Sequence, residues 1–115
     1  MIKWQNLQSA KQIDSIIEQS KEKPVLIFKH STTCSISSMA KFRLEGDWDF
    51  SDADVTPYYL DLLQNRPISA QIADTFSVHH ESPQVLLIRD GVCTYDASHL
   101  DISVAELHEC FEDTF

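Results

Sequence analysis

The residue types best suited to chemistry in this sequence lie together around Cys34. Polar residues flank the thiol, with Thr33 before it and Ser35 and Ser37 after it. We predict that Cys34 stands at the start of a helix, where unpartnered N–H groups and the helix dipole favour the thiolate, the nucleophilic form of cysteine. Ser35 and Ser37 are the predicted hydrogen-bond donors to the sulfur. The competing interpretation is a buried, inert cysteine.

Only one of the thiols is expected to react. The three cysteines, Cys34, Cys93 and Cys110, are too few and too scattered for a disulfide framework. Ser37 occupies the position of the second cysteine in a CxxC motif, so the sequence predicts a monothiol site. Cys93 and Cys110 are expected to fill space in the last strand and the closing helix. No zinc-type spacing appears, and the acidic run over residues 45–54 is expected to be a solvated loop, so no metal site is predicted.

Two neighbouring elements must position Cys34. Residues 25–28 form a continuous apolar run after Pro24, which is typical of a strand covered on both faces. Apolar residues then recur at helical spacing behind the cysteine: Ile36, Met39, Ala40 and Leu44. The pattern therefore places Cys34 between a buried strand and a helix that ends near Glu45.

The other elements alternate between helix and strand. Before the buried strand, the sequence predicts a short strand near Trp4 and a helix capped by Ser9 and Gln12. After the active-site helix it predicts a strand over residues 55–62 and a third helix from Asn65. Because Pro57 lacks an N–H, we expect the strand that contains it to lie at an edge of the sheet.

The C-terminal part of the chain predicts a hairpin and a closing helix. An apolar strand over residues 84–88 is joined by Asp90-Gly91, a tight-turn signal, to a last strand over residues 92–95. Ser103 and Glu106 form a capping box ahead of the closing helix. Alternation at the front with a hairpin at the end predicts an α/β fold with parallel and antiparallel strands.

Length and charge limit the classes of function. The chain has 115 residues, which predicts a single domain over 1–115. A formal net charge of −9 argues against nucleic acid and against an anionic membrane as partner. No apolar run approaches the roughly 20 residues of a membrane span, and no signal-peptide core is present. We therefore expect a cytoplasmic protein in which thiols stay reduced.

These residues resemble a known family, the bacillithiol-system YtxJ proteins, also called monothiol bacilliredoxins. The resemblance rests on the segment from Lys29 to Cys34, on the Ile36-Ser37 that follows, and on Ser82-Pro83 before the hairpin. The family motif is Thr-Cys-Pro-Ile-Ser, and Ser35 stands here where the family has proline. The implied fold is thioredoxin-like, with a central mixed sheet of four to five strands flanked by helices.

The resemblance also implies a reaction and a site. Bacillithiol is a small thiol that forms mixed disulfides with protein cysteines, and the Cys34 thiolate would remove it from such client proteins. Bacillithiol would be the cosubstrate, with no bound cofactor. The family pattern further implies a cis peptide bond between Ser82 and Pro83, beside the thiol, with the backbone before Pro83 pairing with the substrate.

Several basic residues are weaker candidates for a role at the thiol site. Lys29 is expected to tune the Cys34 thiol or to meet the malate carboxylates of bacillithiol, with a solvated lysine as the alternative. The same two interpretations apply to His30. His79 and His80 precede the Pro83 turn, so that one of them could border the site, although a structural role is favoured. Arg66 and Lys41 are possible anion ligands that nothing in the sequence places at the site.

Three rival functions stay open. A glutaredoxin-like enzyme would use glutathione, although glutaredoxins normally carry Gly-Phe where this chain has Ser35-Ile36. A non-enzymatic protein would hold an iron–sulfur cluster or a small thiol through its one cysteine. An inactive member of the family is also compatible with Ser35.

Overall fold

A computed structural model describes residues 2–112 of the chain, with only the backbone of Glu112. Within this range the chain forms five strands, four α-helices and one short 3-10 helix. The strands are β1 (Gln5–Asn6), β2 (Val25–His30), β3 (Thr56–Asp61), β4 (Gln84–Arg89) and β5 (Val92–Ser98). The helices are α1 (Ala10–Gln19), α2 (Ser35–Asp47), α3 (Arg66–Phe76) and α4 (Val104–Glu112), and the 3-10 helix is His99–Asp101.

The strands form one mixed sheet in the order β1-β3-β2-β4-β5. β2 is central, parallel to β3 on one side and antiparallel to β4 on the other. All six of its residues are buried, as the apolar run predicts for a strand covered on both faces. The α/β class and the mixed five-stranded sheet are therefore as expected from the sequence.

The expected edge position of the Pro57 strand is wrong. β3 lies between β2 and the two-residue strand β1. The Thr56 N–H bonds the Pro24 carbonyl on the β2 side, so alternation points the missing N–H of Pro57 to the other side. Pairing with β1 begins at Tyr58, one residue later, so Pro57 lies outside the paired residues on that side and its missing N–H interrupts no strand pairing.

Two apolar cores lie on opposite faces of the sheet. Leu26 and Phe28 of β2 point to one face, where they pack with Leu44 of α2 and with α4. Val25 and Ile27 point to the other face, where α1 and α3 cover them. This alternation decides which helix each polar residue further along β2 meets.

The hairpin forms at the predicted turn. Asp90 and Gly91 both adopt positive φ, 51° and 79°, as a tight turn of this type requires. Their N–H groups bond Ser20, one to its carbonyl and one to its hydroxyl, at 2.9 Å each. The turn is therefore fixed to the end of α1.

None of the helices within residues 2–112 is long and apolar enough to cross a membrane.

Candidate active site

Cys34 stands at the start of α2, as the sequence predicts. It is the N-cap residue, with extended backbone angles of φ −104° and ψ 122°, and its carbonyl accepts the N–H of Ser38 at 3.0 Å. Its own N–H closes a turn on the Ser31 carbonyl at 3.2 Å. The residue is partly exposed, and no side chain or backbone group of the described residues hydrogen-bonds its sulfur. Cys34 is therefore not enclosed in the core, and no hydrogen bond within the described residues holds its sulfur.

The expected hydrogen bond from Ser37 to the sulfur is not present. Ser37 is completely buried, and its hydroxyl lies 2.6 Å from His30 Nδ1 while it accepts the Ser31 N–H at 3.0 Å. Ser37 lies three residues after the N-cap, so helical geometry turns it inward to the sheet. Its role is to tie the active-site turn to β2. Ser35, the first residue of α2 and the other predicted donor, is exposed and does not hydrogen-bond the sulfur either. Thr33 is exposed on the turn before the thiol.

His30 is the site residue that sequence reasoning undervalued. The residue is 4% exposed, and its ring lies between Phe28 and Tyr59, with centroid distances of 5.7 Å to each. Burial, and next the nearby Lys41 charge, lower the pKa of His30, which favours the neutral ring at pH 7. The sequence did contain a signal for the burial of His30. Side chains alternate between the two faces of a strand, so His30, two residues after Phe28, points to the same face as that apolar side chain.

Lys29 points away from the α2 face. As the neighbour of His30 in β2 it faces α3, where its ammonium lies 3.4 Å from the Ser69 carbonyl and 3.2 Å from His80 Nδ1. The side chain is fully buried. The structure therefore does not bring Lys29 to the sulfur of Cys34 as a tuning group, because adjacent strand residues point to opposite faces.

The buried ammonium gives a stability prediction. Burial lowers the pKa of Lys29 from 10.5 to about 8. The unfolded chain thus holds more protons than the folded chain between these values, and the free energy of unfolding rises with pH there. We expect Lys29→Met to be more stable than the wild type at pH 7 by about 1–3 kcal/mol, because a buried charge is replaced by an apolar side chain.

Urea denaturation at pH 7 and pH 10 measures this effect. The difference between variant and wild type is expected to shrink at pH 10, where Lys29 loses its charge. Other titrating groups cancel in the difference, and Lys11→Met is the control: it removes an exposed lysine of α1 and should not stabilise the protein at pH 7. A variant several kcal/mol less stable than the wild type at pH 7 would contradict the prediction.

The Ser82-Pro83 peptide bond is cis, as the resemblance implied. Gln84 pairs with Lys29 in the sheet, so Pro83 lies beside the end of β2 from which the Cys34 turn departs. The Pro83 carbonyl accepts the His99 N–H at 3.0 Å. Ser82 Oγ is buried and has no hydrogen-bond partner among the described residues.

The other two cysteines lie on elements away from the turn. Cys93 is in β5, where burial raises the pKa of its thiol to about 11 and its sulfur donates to the Tyr95 carbonyl at 3.3 Å. Cys110 is in α4 and packs against the core shared with α2. Within residues 2–112 no three His, Cys, Asp or Glu side chains are grouped so that they could hold a metal ion.

Known proteins match this chain over most of its length. The sequence model of the family described as Monothiol bacilliredoxin BrxC matches residues 5–107. A solved structure described as an inferred oxidoreductase with a thioredoxin fold is 33% identical, with a TM-score of 0.76, over 92% of this chain and 91% of the other. The sheet and helices described above are therefore those of the thioredoxin fold.

Two thioredoxins support the same fold at lower identity. The thioredoxin of Malassezia sympodialis, the allergen Mala s 13, is 17% identical with a TM-score of 0.74, over 97% of this chain and 90% of the other. Fasciola hepatica thioredoxin is 18% identical with a TM-score of 0.70, over 94% and 96%. At these identities the likeness concerns the fold alone.

Proposed function

Since the chain belongs to the monothiol bacilliredoxin family and is a thiol oxidoreductase of the thioredoxin fold, we propose that it removes bacillithiol from protein mixed disulfides through Cys34. The observation that carries the proposal is a single, partly exposed cysteine at the N-cap of α2, with buried Ser37 where a second thiol would stand. One thiol at a helix start can attack a disulfide but cannot resolve it internally.

The reaction has two exchanges. The Cys34 thiolate attacks the bacillithiol sulfur of the client disulfide, the S–S bond breaks, and the client leaves as a thiolate that takes a proton from water. Cys34 now carries bacillithiol. A second bacillithiol thiolate attacks the bacillithiol sulfur of that adduct, which frees Cys34 and forms bacillithiol disulfide. The two electrons that reduce the client disulfide therefore come from free bacillithiol.

The surroundings of the thiol suit this chemistry. The N-cap position places Cys34 at the partly exposed start of α2, next to the N–H groups of the first helical turn, which lack partners within the helix. The bonds of Ser37 to His30 and Ser31 hold the turn without occupying the sulfur. In our proposal, the backbone before Pro83 pairs with the client chain beside the reacting sulfurs, and Ser82, Thr33 and Ser35 border the same cleft.

Intact mass spectrometry tests the cosubstrate. The protein is incubated with bacillithiol disulfide and, separately, with glutathione disulfide. We expect one bacillithiol adduct, lost in Cys34→Ser and kept in Cys93→Ser, and little glutathione adduct. An adduct only from glutathione would support a glutaredoxin-like enzyme instead. A protein that forms neither adduct, or that purifies brown under anaerobic conditions, would support the inactive or cluster-carrying alternative.

A further inference from the structure

A cluster of basic side chains lies on the face of the sheet opposite α2 and has no part in the exchange chemistry at Cys34. His80 Nδ1 is 3.2 Å from both the Lys29 ammonium and the Ser69 hydroxyl. The charges of Lys29 and Arg66, together with His79, act on the His80 ring, and Glu81 is the acidic group that opposes them. Lys29 and Arg66 thus bring two of the nine Lys and Arg residues of the chain to one place, although the net charge of the chain is −9.

Lys29 lacks the partner that a buried ammonium normally has. Its contacts are a carbonyl and a neutral ring nitrogen, and among the described residues no carboxylate oxygen lies within 4.0 Å of its Nζ. Lys3, Lys21 and Lys41, in contrast, each form an ion pair with an acidic residue at the surface. Burying an unpaired charge costs free energy, which a bound anion would offset.

The contact with Lys29 also determines the tautomer of the His80 ring. An ammonium has only donors, so His80 Nδ1 must accept and the ring proton must sit on Nε2. Burial and the Lys29 charge lower the pKa of His80, which keeps the ring neutral. The residue is exposed, and Nε2 has no protein partner among residues 2–112, so its N–H is available as a donor to a ligand.

We propose that Arg66, His80 and Lys29 form a binding site for a carboxylate of the small-thiol cosubstrate, an inference that rests on the proposed function. The Arg66 side chain is exposed at the first position of α3 and supplies a guanidinium, which pairs well with carboxylates. His80 supplies its Nε2–H as a donor. The Lys29 ammonium contacts the other ring nitrogen, Nδ1, and thereby polarises the Nε2–H bond. His80 is three residues before Pro83, and Lys29 pairs with Gln84, so the site shares the edge of the sheet where the Cys34 turn begins.

This site makes the enzyme selective for acidic thiols. A thiol with carboxylates, such as bacillithiol with its malate group, binds with its sulfur toward Cys34 and its carboxylate toward Arg66. A thiol without a carboxylate can react at Cys34 but gains nothing from the basic cluster. Because glutathione also carries carboxylates, the cluster discriminates between charged and neutral thiols, and the tests therefore include both acidic thiols.

The binding test uses malate as probe and needs no catalysis. In the Cys34→Ser protein, malate is titrated while the His80 ring signals are followed by NMR. We expect saturable shifts, with the dissociation constant raised about tenfold by Arg66→Ala or Lys29→Met. Lys11→Ala, which removes an exposed charge on α1, should leave it unchanged. No saturable shift, or equal effects of Arg66→Ala and Lys11→Ala, would overturn the site.

A kinetic test separates the site from the proposed function. Model peptides carry a mixed disulfide to bacillithiol, to glutathione or to cysteamine, which has no carboxylate. Each peptide is assayed with its own small thiol in excess, which attacks the Cys34 adduct, frees Cys34 and leaves as the small-thiol disulfide. Arg66→Ala should raise KM about tenfold for the two acidic thiols, with kcat kept, and leave cysteamine release unchanged. Equal losses on all three peptides would refute the site while the function stands. Malate binding without turnover of any peptide would refute the function while the site stands.

Discussion

Replacing Cys34 by serine is expected to lower the release of bacillithiol from a modified peptide by about a thousandfold or more. The reason is that a serine hydroxyl is not ionised at neutral pH and forms no disulfide, so the first exchange has no nucleophile. The fold should be unaffected, since Cys34 is partly exposed and its sulfur makes no hydrogen bond to a described residue. The measurement is the initial rate of bacillithiol release, followed by mass spectrometry.

Cys93→Ser is the matched control for this loss. Burial raises the pKa of the Cys93 thiol to about 11, so little thiolate exists at neutral pH, and its sulfur already donates to the Tyr95 carbonyl. We expect the variant to keep the wild-type rate. A Cys93→Ser enzyme that stalls as a Cys34 adduct would instead identify Cys93 as a resolving thiol and would contradict the monothiol mechanism.

Truncating Phe28 to alanine is expected to lower the free energy of unfolding by about 3–5 kcal/mol. The side chain is fully buried in β2, within the core covered by α2 and α4. Its ring stacks on Trp4 at 5.6 Å and on His30 at 5.7 Å, so its removal leaves a cavity between the sheet and α2. Because His30 in turn holds Ser37, the turn that carries Cys34 should also loosen.

Urea denaturation compares this variant with Phe42→Ala. Phe42 lies on α2 with 77% of its surface exposed, so the same truncation there should change the free energy of unfolding by no more than about 0.5 kcal/mol. The rate at which iodoacetamide alkylates Cys34 in native buffer provides a second measurement. We expect this rate to change in Phe28→Ala and to stay at the wild-type value in Phe42→Ala. Equal stability losses in both variants would show that burial at β2 is not the source of the effect.

Local sequence patterns decided the elements. The uninterrupted apolar run of β2 and the helical spacing after Cys34 depend on residues a few positions apart, and both elements formed where predicted. The closing helix began beside Ser103 for the same reason, because the Ser103 hydroxyl accepts the Glu106 N–H at 3.1 Å. The second hydrogen bond expected of that capping box, from the Ser103 N–H to the Glu106 carboxylate, does not form. The Glu106 carboxylate instead accepts the Tyr95 hydroxyl of β5.

The sequence by itself thus determined the α/β fold, the strand-to-helix setting of Cys34 and the absence of a neighbouring second thiol. Tertiary structure alone decided that Ser37 bonds His30 and that Lys29 faces Ser69 and His80, 40 and 51 positions away in the chain. It also placed β1 beside β3, so that Pro57 is not on an edge strand. The physical reason is that periodicity fixes which face a side chain takes, whereas the strand order and the helices packed on each face determine what it meets there.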